Sequence, residues 1–372
     1  MDPNVLRIVL AAGGPSGPEN KLYMWGSNSV GTLGLGDTTN RSSPVQVGSL
    51  TDWSKVRSGT YFTLALKTNG TLWSWGQNVD GQLGLGDTTN RSSPIQIGAL
   101  ATWSDIACGD RHSLACKTDG TIWSWGFNNK YQLGLSIGVF DKRSSPVQIG
   151  VSTDWAKVFA TQYSSFAIKN NGQLWAWGNN ESGQLGLSDS TNRSSPVQVG
   201  SLTDWSKISG GRQFTVAVKT NGTLWSWGAS TFGQLGLDNA NSYSSPKQVG
   251  SLTNWADVSS TGFSTIALKT NKTLWSWGYN SYGQLGLGDI TDRSSPVQIG
   301  SLANWSYIGA GKDAFHCIAS KTDKTIWSWG RNNTGQLGLG NLNIYSSPVQ
   351  IGSLATWTSV FAAKSSSGAF SS

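Results

Sequence analysis

Most of what enzymes use for chemistry is scarce in this sequence. Its 372 residues include two histidines (His112 and His316), two glutamates (Glu19 and Glu181) and three cysteines (Cys108, Cys116 and Cys317). Three cysteines cannot build a disulfide framework, so stability has to come from packing. Two histidines and so few thiols leave a metal site without ligands. Both histidines also fall at one repeat position, held elsewhere by Phe62, Ser164, Phe214 and Ser264, and read as structural residues. Paired-carboxylate hydrolysis would have to rest on aspartates. Asp52, Asp154 and Asp204 instead recur just before tryptophan and read as turn-formers. Charged residues make up only 13% of the chain. No apolar run approaches the roughly 18 residues that span a bilayer. The net charge of +7 is spread out, much of it as one lysine per repeat, with no basic run of the kind that binds nucleic acid. No catalytic residue, cofactor or metal, no specific nucleic acid and no membrane span are expected.

Glycine (47 residues) and tryptophan (20 residues) are abundant, and their spacing decides the architecture. Trp-Gly pairs begin at Trp25, Trp75, Trp125, Trp177, Trp227, Trp277 and Trp329, at intervals of 50 or 52 residues. A second series runs Trp53, Trp103, Trp155, Trp205, Trp255, Trp305, Trp357, and a third sits two residues before each Trp-Gly except the first, where Tyr23 stands. A Ser-Ser-Pro triplet recurs at the same interval, ending at Pro44, Pro94, Pro146, Pro196, Pro246, Pro296 and Pro348. Self-similarity of this period marks a repeat architecture. Each period reads as four short strands, in one unit Pro44–Val47, Lys55–Arg57, Thr63–Lys67 and Thr71–Trp75. Asn69-Gly70 between the last two predicts a two-residue hairpin turn with both residues at positive φ. Strands such as Leu72-Trp73-Ser74-Trp75 are apolar on both faces, as a sheet between neighbouring sheets requires. The expected fold is all-β, a seven-bladed β-propeller of four-stranded blades.

The ends supply the closure. After Trp357 the chain holds only two strands of a blade, and Lys21-Leu22-Tyr23-Met24-Trp25-Gly26 supplies the missing Trp-Gly strand. Pairing the two termini in one blade hides two sheet edges that would otherwise invite aggregation. Residues 1–20 are expected to form an arm and linker, and 21–372 a single propeller domain. Gly81-Gln82-Leu83-Gly84-Leu85-Gly86 superficially suggests a phosphate loop. It recurs through the repeats and opens no helix, so it reads as close backbone approach.

The motifs Trp-Gly-x-Asn-x-x-Gly-Gln-Leu-Gly at Trp75–Gly84 and Cys-Gly-x-x-His-Ser-Leu-Ala at Cys108–Ala115 resemble the regulator of chromosome condensation family. The resemblance covers about residues 21–370 and implies a seven-bladed propeller with a mixed-terminus closing blade. The family's members include a nuclear exchange factor for a small GTPase, ubiquitin-ligase and scaffold modules, and a secreted bacterial β-lactamase inhibitor, so it leaves function open. The exchange factor uses a protruding β-wedge and a basic tail. Here the largest insertions are two residues, around Ser136–Lys142 and Gly311–Phe315, and the arm before Leu22 carries only Arg7 and Lys21 as basic residues.

Comparison among the repeats separates fixed from variable positions. The loop after the Trp-x-x-Val strand differs in every unit, and equivalent propeller loops share one face. That places Tyr61, Phe62, Arg111, His112, Tyr163, Arg212, Phe214, Phe263, Lys312 and Phe315 in a candidate partner-binding ring, rich in the residue types of interface hot spots. A second variable set, Ser27, Gln77, Phe127, Asn179, Ala229, Tyr279 and Arg331, follows each Trp-Gly. Val5, Leu6, Ile8, Val9 and Leu10 form an apolar arm with no repeat counterpart, a candidate strand for docking into a larger assembly. The sequence reading is a non-enzymatic binding or display scaffold, a structural or receptor-engaging component of a virion or cell surface that engages a protein or glycan. The alternative is a soluble, cytoplasmic regulatory protein binder, either an inhibitor or a GTPase exchange-factor-like propeller.

Overall fold

The computed structural model describes residues 20–311 and 313–372. These form seven four-stranded antiparallel sheets. In the first complete blade, blade I, β3 (Trp53–Ser58), β4 (Phe62–Lys67), β5 (Leu72–Gly76) and β6 (Arg91–Gln96) lie side by side in chain order. Its first strand is innermost: β3 lies against β7 (Trp103–Cys108), which meets β11 (Trp155–Ala160). The ring continues through β15 (Trp205–Gly210), β19 (Trp255–Ser260), β23 (Trp305–Ala310) and β27 (Trp357–Ala362) back to β3. We number the blades I to VII from these innermost strands.

Blade VII is the closure. Its order is β27, then β28 (Ser366–Ser371), then β1 (Lys21–Gly26), then β2 (Arg41–Gln46). β1 pairs with β28 without interruption from Lys21↔Ser371 to Gly26↔Ser366. Both terminal strands gain ladder partners, so neither is left as a sheet edge. The seven-bladed, terminus-closed propeller read from the tryptophan spacing is the fold observed.

Two local details differ from the sequence reading. The outer strand begins at Arg91 rather than at its proline; Gly76 pairs with Arg91 and Ser74 with Ile95, so Ser92–Pro94 bulge out of register. Proline fits there because an outermost, bulged position asks for no ladder N–H. The β4–β5 turn is not a two-residue turn with paired positive φ. Gly70 alone is left-handed (φ 78°), its N–H reaches Lys67 O at 3.0 Å, and Lys67 N–H reaches Thr71 O at 3.1 Å. That is a type I turn followed by a glycine bulge. Asn69 contributes through its side chain, whose Oδ1 accepts from Thr71 N at 3.1 Å and Thr71 Oγ1 at 2.8 Å.

Each Trp-Gly tryptophan is fully buried at a blade junction. Trp125 Nε1 donates to Gln82 O, in the loop that leaves β5 of the preceding blade, at 2.9 Å. The same bond recurs round the ring from Trp75, Trp177, Trp227, Trp277, Trp329 and Trp25. Gly84 lies against that indole at φ 75°; a Cβ there would sit 2.7 Å from Trp125 Nε1. The Gly-Gln-Leu-Gly motif is therefore an interlock between blades and not an anion loop.

The per-repeat lysines are also accounted for. Lys67 Nζ sits 5.2 Å from the Trp53 ring centre and 4.5 Å from that of Trp73, with Asp52 Oδ1 at 3.3 Å. Lys117, Lys169, Lys219, Lys269 and Lys321 repeat the double cation–π contact. In blade VII the lysine is replaced by Ser371 and the facing tryptophan by Tyr23, which packs edge-on against Trp357 at 5.2 Å. Much of the formal positive charge is thus sandwiched inside the blades. Asp52, Asp154 and Asp204, read as turn-formers, are the carboxylates that pair with these lysines in three of the blades.

Candidate interaction face

Within a blade the strands run alternately up and down, so the loops after β3 and after β5 emerge at one end of the propeller. The equivalent loops of all blades do the same, and this face carries the sequence variation. Its inner loops lash to one another around the axis. Thr60 N donates to Asp110 O at 3.3 Å, Asp110 N to Gln162 O at 2.9 Å, and Gln162 N to Gly211 O at 3.4 Å. Arg212 N then reaches Gly262 O at 3.0 Å, and Gly262 N reaches Ala314 O at 3.2 Å. Loops that share backbone hydrogen bonds are held in fixed relative positions, which presents their side chains as one preorganised surface.

Three aspartates organise the charge there. Asp313 is buried and accepts from Arg212 of blade IV and, at 2.7 Å, from Lys364 of blade VII. Burial alone would lower the Lys364 pKa, but the Asp313 carboxylate beside it raises it overall. Asp80, likewise buried, takes Lys142 at 2.5 Å and Arg111 at 3.4 Å. Asp110 accepts from the Thr60 hydroxyl. Burial, and then the Asp110 charge and a hydrogen bond to it, push the Tyr163 phenol up to about 12, so it stays protonated. With these carboxylates inward and committed, the outward charge is guanidinium; the Arg111 side chain is 44% exposed.

An aromatic cluster occupies the arc of blades IV to VI. Phe232 meets Phe263 at 5.4 Å and Tyr279 at 4.9 Å; Phe315 meets Tyr279 at 6.0 Å and Tyr282 at 5.2 Å. Arg212 stacks over Phe263 at 4.8 Å and Arg331 over Tyr282 at 5.2 Å. All five residues are half-buried. Edge-to-face and tilted ring packing of this kind builds a contiguous aromatic surface, and aromatic area flanked by arginine is the composition of binding hot spots. A smaller counterpart lies across the ring, where Arg111 and Lys142 stand 6.0 and 5.5 Å from the Phe127 ring.

Of the sequence-predicted ring, Tyr61, Arg111, Tyr163, Arg212, Phe263 and Phe315 reach this face. Phe62, His112 and Phe214 do not, and are corrected: each is the first residue of its strand, and its side chain is buried at a blade junction at 0 to 1% exposure. Lys312 and the arm residues Val5, Leu6, Ile8, Val9 and Leu10 lie outside the described residues. Phe232 and Tyr282 were missed. They occupy the position before the glycine of Gly-Gln-Leu-Gly, which reads Val30, Asp80, Lys130, Ser182, Phe232, Tyr282 and Thr334 across the units, so internal variation was the available signal.

The nucleophile-bearing side chains lie elsewhere. His316 is wholly enclosed and burial pushes its pKa down to about 4; its Nε2 lies 2.8 Å from Ser367 Oγ. Burial pushes the Cys116 thiol up to about 11 and raises Cys317 further. A neutral, enclosed imidazole and protonated, enclosed thiols are core groups and not reactive ones. Among the described residues no cluster of His, Cys, Asp or Glu could hold a metal ion, and no helix is long and apolar enough to cross a membrane.

The fold recurs in solved structures. Prp20p from Saccharomyces cerevisiae, whose structure was described with its binding to Gsp1p and histones, matches with a TM-score of 0.84 and 21% identity, over 97% of this chain and 93% of that one. Human WBSCR16 matches with a TM-score of 0.84 and 20% identity, over 95% and 98%. Yeast RCC1 (Prp20) bound to Kap60 matches with a TM-score of 0.83 and 21% identity, over 95% and 89%. These neighbours overturn the expected virion or cell-surface location: the likeness runs to a protein that binds Gsp1p, histones and Kap60, not to a displayed component. A search of curated protein sequences finds no significant match. The regulator of chromosome condensation (RCC1) repeat model matches seven times, at 19–66, 69–116, 119–168, 171–218, 221–268, 273–319 and 323–370. Each matched unit carries the two outer strands of one blade and the two inner strands of the next, so consecutive repeats are stitched together by construction. On that match the chain belongs to the regulator of chromosome condensation repeat family.

Proposed function

We propose that this chain is a cytoplasmic, non-enzymatic regulatory binder that captures a protein partner on the loop face, through the aromatic and arginine arc of blades IV to VI. The observation that carries this reading is the contiguous set of half-buried rings of Phe232, Phe263, Tyr279, Tyr282 and Phe315 between Arg212 and Arg331. Outward guanidinium groups over inward, committed carboxylates suit a partner that brings an apolar side chain and an acidic one. The similarity to a Gsp1p-binding propeller supports a protein rather than a glycan as the ligand. The exchange-factor-like form of this reading is narrower, and a nucleotide-release assay on a candidate small GTPase tests it.

The test of the main reading is cross-linking and affinity capture from the native source, comparing the wild type with Phe263→Ala/Phe315→Ala. Each ring is expected to contribute about 2 kcal/mol, so the partner recovered with wild type falls at least tenfold while the thermal transition stays cooperative. Undiminished capture by the double variant, with loss in Tyr61→Ala/Arg111→Ala instead, would move the site to the opposite arc. Undiminished capture by both would overturn the reading.

A further inference from the structure

Outside the aromatic arc, the long loops of blades V and VI (279–292 and 331–344) end in a lip of exposed aliphatic side chains. Ile290, Leu342 and Ile344 are 65, 59 and 54% exposed. Thr38, Thr88, Ser190 and Ala240 hold the place of Ile290 and Leu342 in other units. The lip meets the arc at Ser346, two residues beyond Ile344. Gly288 N, two residues before Ile290, donates to Ser346 O at 2.8 Å. Gly283, next to Tyr282, packs on the same residue so closely that a Cβ there would lie 2.5 Å from Ser346 Cα. Asn332, next to Arg331, donates Nδ2 to Asn341 O at 2.9 Å, which ties the residue before Leu342 to the arginine end of the arc.

The lip costs stability. Elsewhere the position of Ile344 caps the start of its loop. Asn40 Oδ1 accepts from Asn28 N at 2.8 Å, Asn90 Oδ1 from Asn78 N at 2.8 Å and Asp292 Oδ1 from Asn280 N at 2.7 Å. Isoleucine offers Asn332 no acceptor, so the chain loses that hydrogen bond and exposes apolar area in its place. The charge has gone too. Asp37–Arg41, Asp87–Arg91, Asp189–Arg193 and Asp289–Arg293 are ion pairs, whereas blade VI has Asn341 donating to Tyr345 Oη at 3.2 Å. A neutral lip costs less to desolvate than one carrying an ion pair.

We propose that the rings and the lip of blades V and VI form one radial strip that binds an amphipathic helix of a protein partner. Its apolar stripe lies on the rings, Ile290, Leu342 and Ile344, and a carboxylate meets Arg331, which stacks on Tyr282 at 5.2 Å. The proposal rests on the loop-face reading above and names the partner's element. A helix satisfies its own backbone, so it can lie on aromatic and aliphatic groups without orphaned N–H and C=O groups. An extended segment would need a strand ladder, and the outer strand of blade VI bulges out of register between Tyr345 and Val349.

The three native cysteines are buried, so the full chain carrying Leu342→Cys can be labelled at that one site with a benzophenone maleimide. Photolysis in an extract of the native source is expected to cross-link the protein whose capture depends on Phe263 and Phe315. The cross-linked peptide is expected to carry apolar residues at i, i+3 and i+4 with an Asp or Glu beside them. Ile290→Ser/Leu342→Ser is expected to lower recovery of that protein about tenfold or more. Ile344→Asn restores the cap and is expected to lower recovery while raising Tm, the second readout needing no partner. Undiminished recovery by Ile290→Ser/Leu342→Ser, with loss in Phe263→Ala/Phe315→Ala, would overturn the strip and leave the arc standing. Undiminished recovery by both, or no protein recovered by wild type, would overturn both. A cross-linked peptide without that spacing, or an Ile344→Asn protein that melts no higher than wild type, would also overturn the proposal.

Discussion

Gly84 and Gly98 both have left-handed backbones, at φ 75° and 60°, but only one of them faces a neighbour. A Cβ on Gly98 would meet nothing within 4 Å, whereas one on Gly84 would lie 2.7 Å from Trp125 Nε1 and 3.1 Å from two of its carbons. Placing alanine at a left-handed position costs about 1–2 kcal/mol. The gain from a less flexible unfolded chain returns about 0.4–1 kcal/mol. Gly98→Ala is therefore expected to destabilise by about 1 kcal/mol. Gly84→Ala adds overpacking of about 1–3 kcal/mol. The indole cannot retreat, since it is fully buried and anchored to Gln82 O at 2.9 Å, so the total is about 2–4 kcal/mol. Unfolding entropy of about 2 cal/mol/K per residue converts these to Tm losses of about 1–2 °C for Gly98→Ala and about 3–6 °C for Gly84→Ala. Urea denaturation followed by tryptophan fluorescence, with calorimetry alongside, reads both. Equal losses in the two variants would refute the claim that the repeated glycine exists for the indole. A Gly84→Ala protein within about 0.5 kcal/mol of wild type would refute both parts of the argument.

Three other perturbations test separate parts of the fold. His316 has a folded pKa of about 4 against 6.5 for the free side chain, so the unfolded chain binds more protons in that window. Stability is expected to fall as pH drops from 6.5 to 4, by about 3 kcal/mol from this group, and His316→Phe, the residue type of Phe62 and Phe214, should flatten that slope in urea midpoints measured against pH. Lys272 and Lys324 take the turn position of Gly70 at φ 64° and 62°, so Lys272→Gly/Lys324→Gly is expected to raise stability by about 1 kcal/mol in total, and any loss would contradict the strain argument. Deleting 366–372 strips β1 and β27 of their shared partner; light scattering after size exclusion should show aggregates, and a monodisperse monomer with a single cooperative melt would argue against terminal pairing as the ring's closure.

Blade number, strand direction and closure were legible in the sequence because each is a counting property of the tryptophans, and a repeat of 50 residues leaves little freedom in where its strands fall. Side-chain orientation was not legible in the same way. Variation at Phe62, His112 and Phe214 looked like variation of a loop, but each strand starts at that residue and turns it inward to the blade junction. There the variation is exchange of one core filler for another. Phe232 and Tyr282 erred in the opposite direction: the Gly-Gln-Leu-Gly run that directly follows each of them made the stretch look structural. The lysines escaped because their partners are distant in sequence. Lys67 lies 14 residues from Trp53, and only strand pairing puts it over the ring.

These misreadings share a physical origin, which also explains how a rigid repeat can carry a single asymmetric site. Every blade junction is fixed by the same few bonds, chiefly a buried tryptophan donating to a loop carbonyl of the preceding blade. Those bonds use the backbone of the loop and leave its side chains free to differ. A loop held by its carbonyls can exchange Asp80 for Phe232 or Thr334 without disturbing the junction beneath it. An aromatic arc can therefore arise in blades IV to VI alone while the frame stays sevenfold. The innermost strands are the reverse case, because side chains join blades there, as Lys55 does to Asp105 and Lys207 to Asp257. There a change of one partner removes the bond between the two blades and leaves the other charge without it. Variation is tolerated silently where the backbone makes the bond, and costs the bond where the side chain makes it.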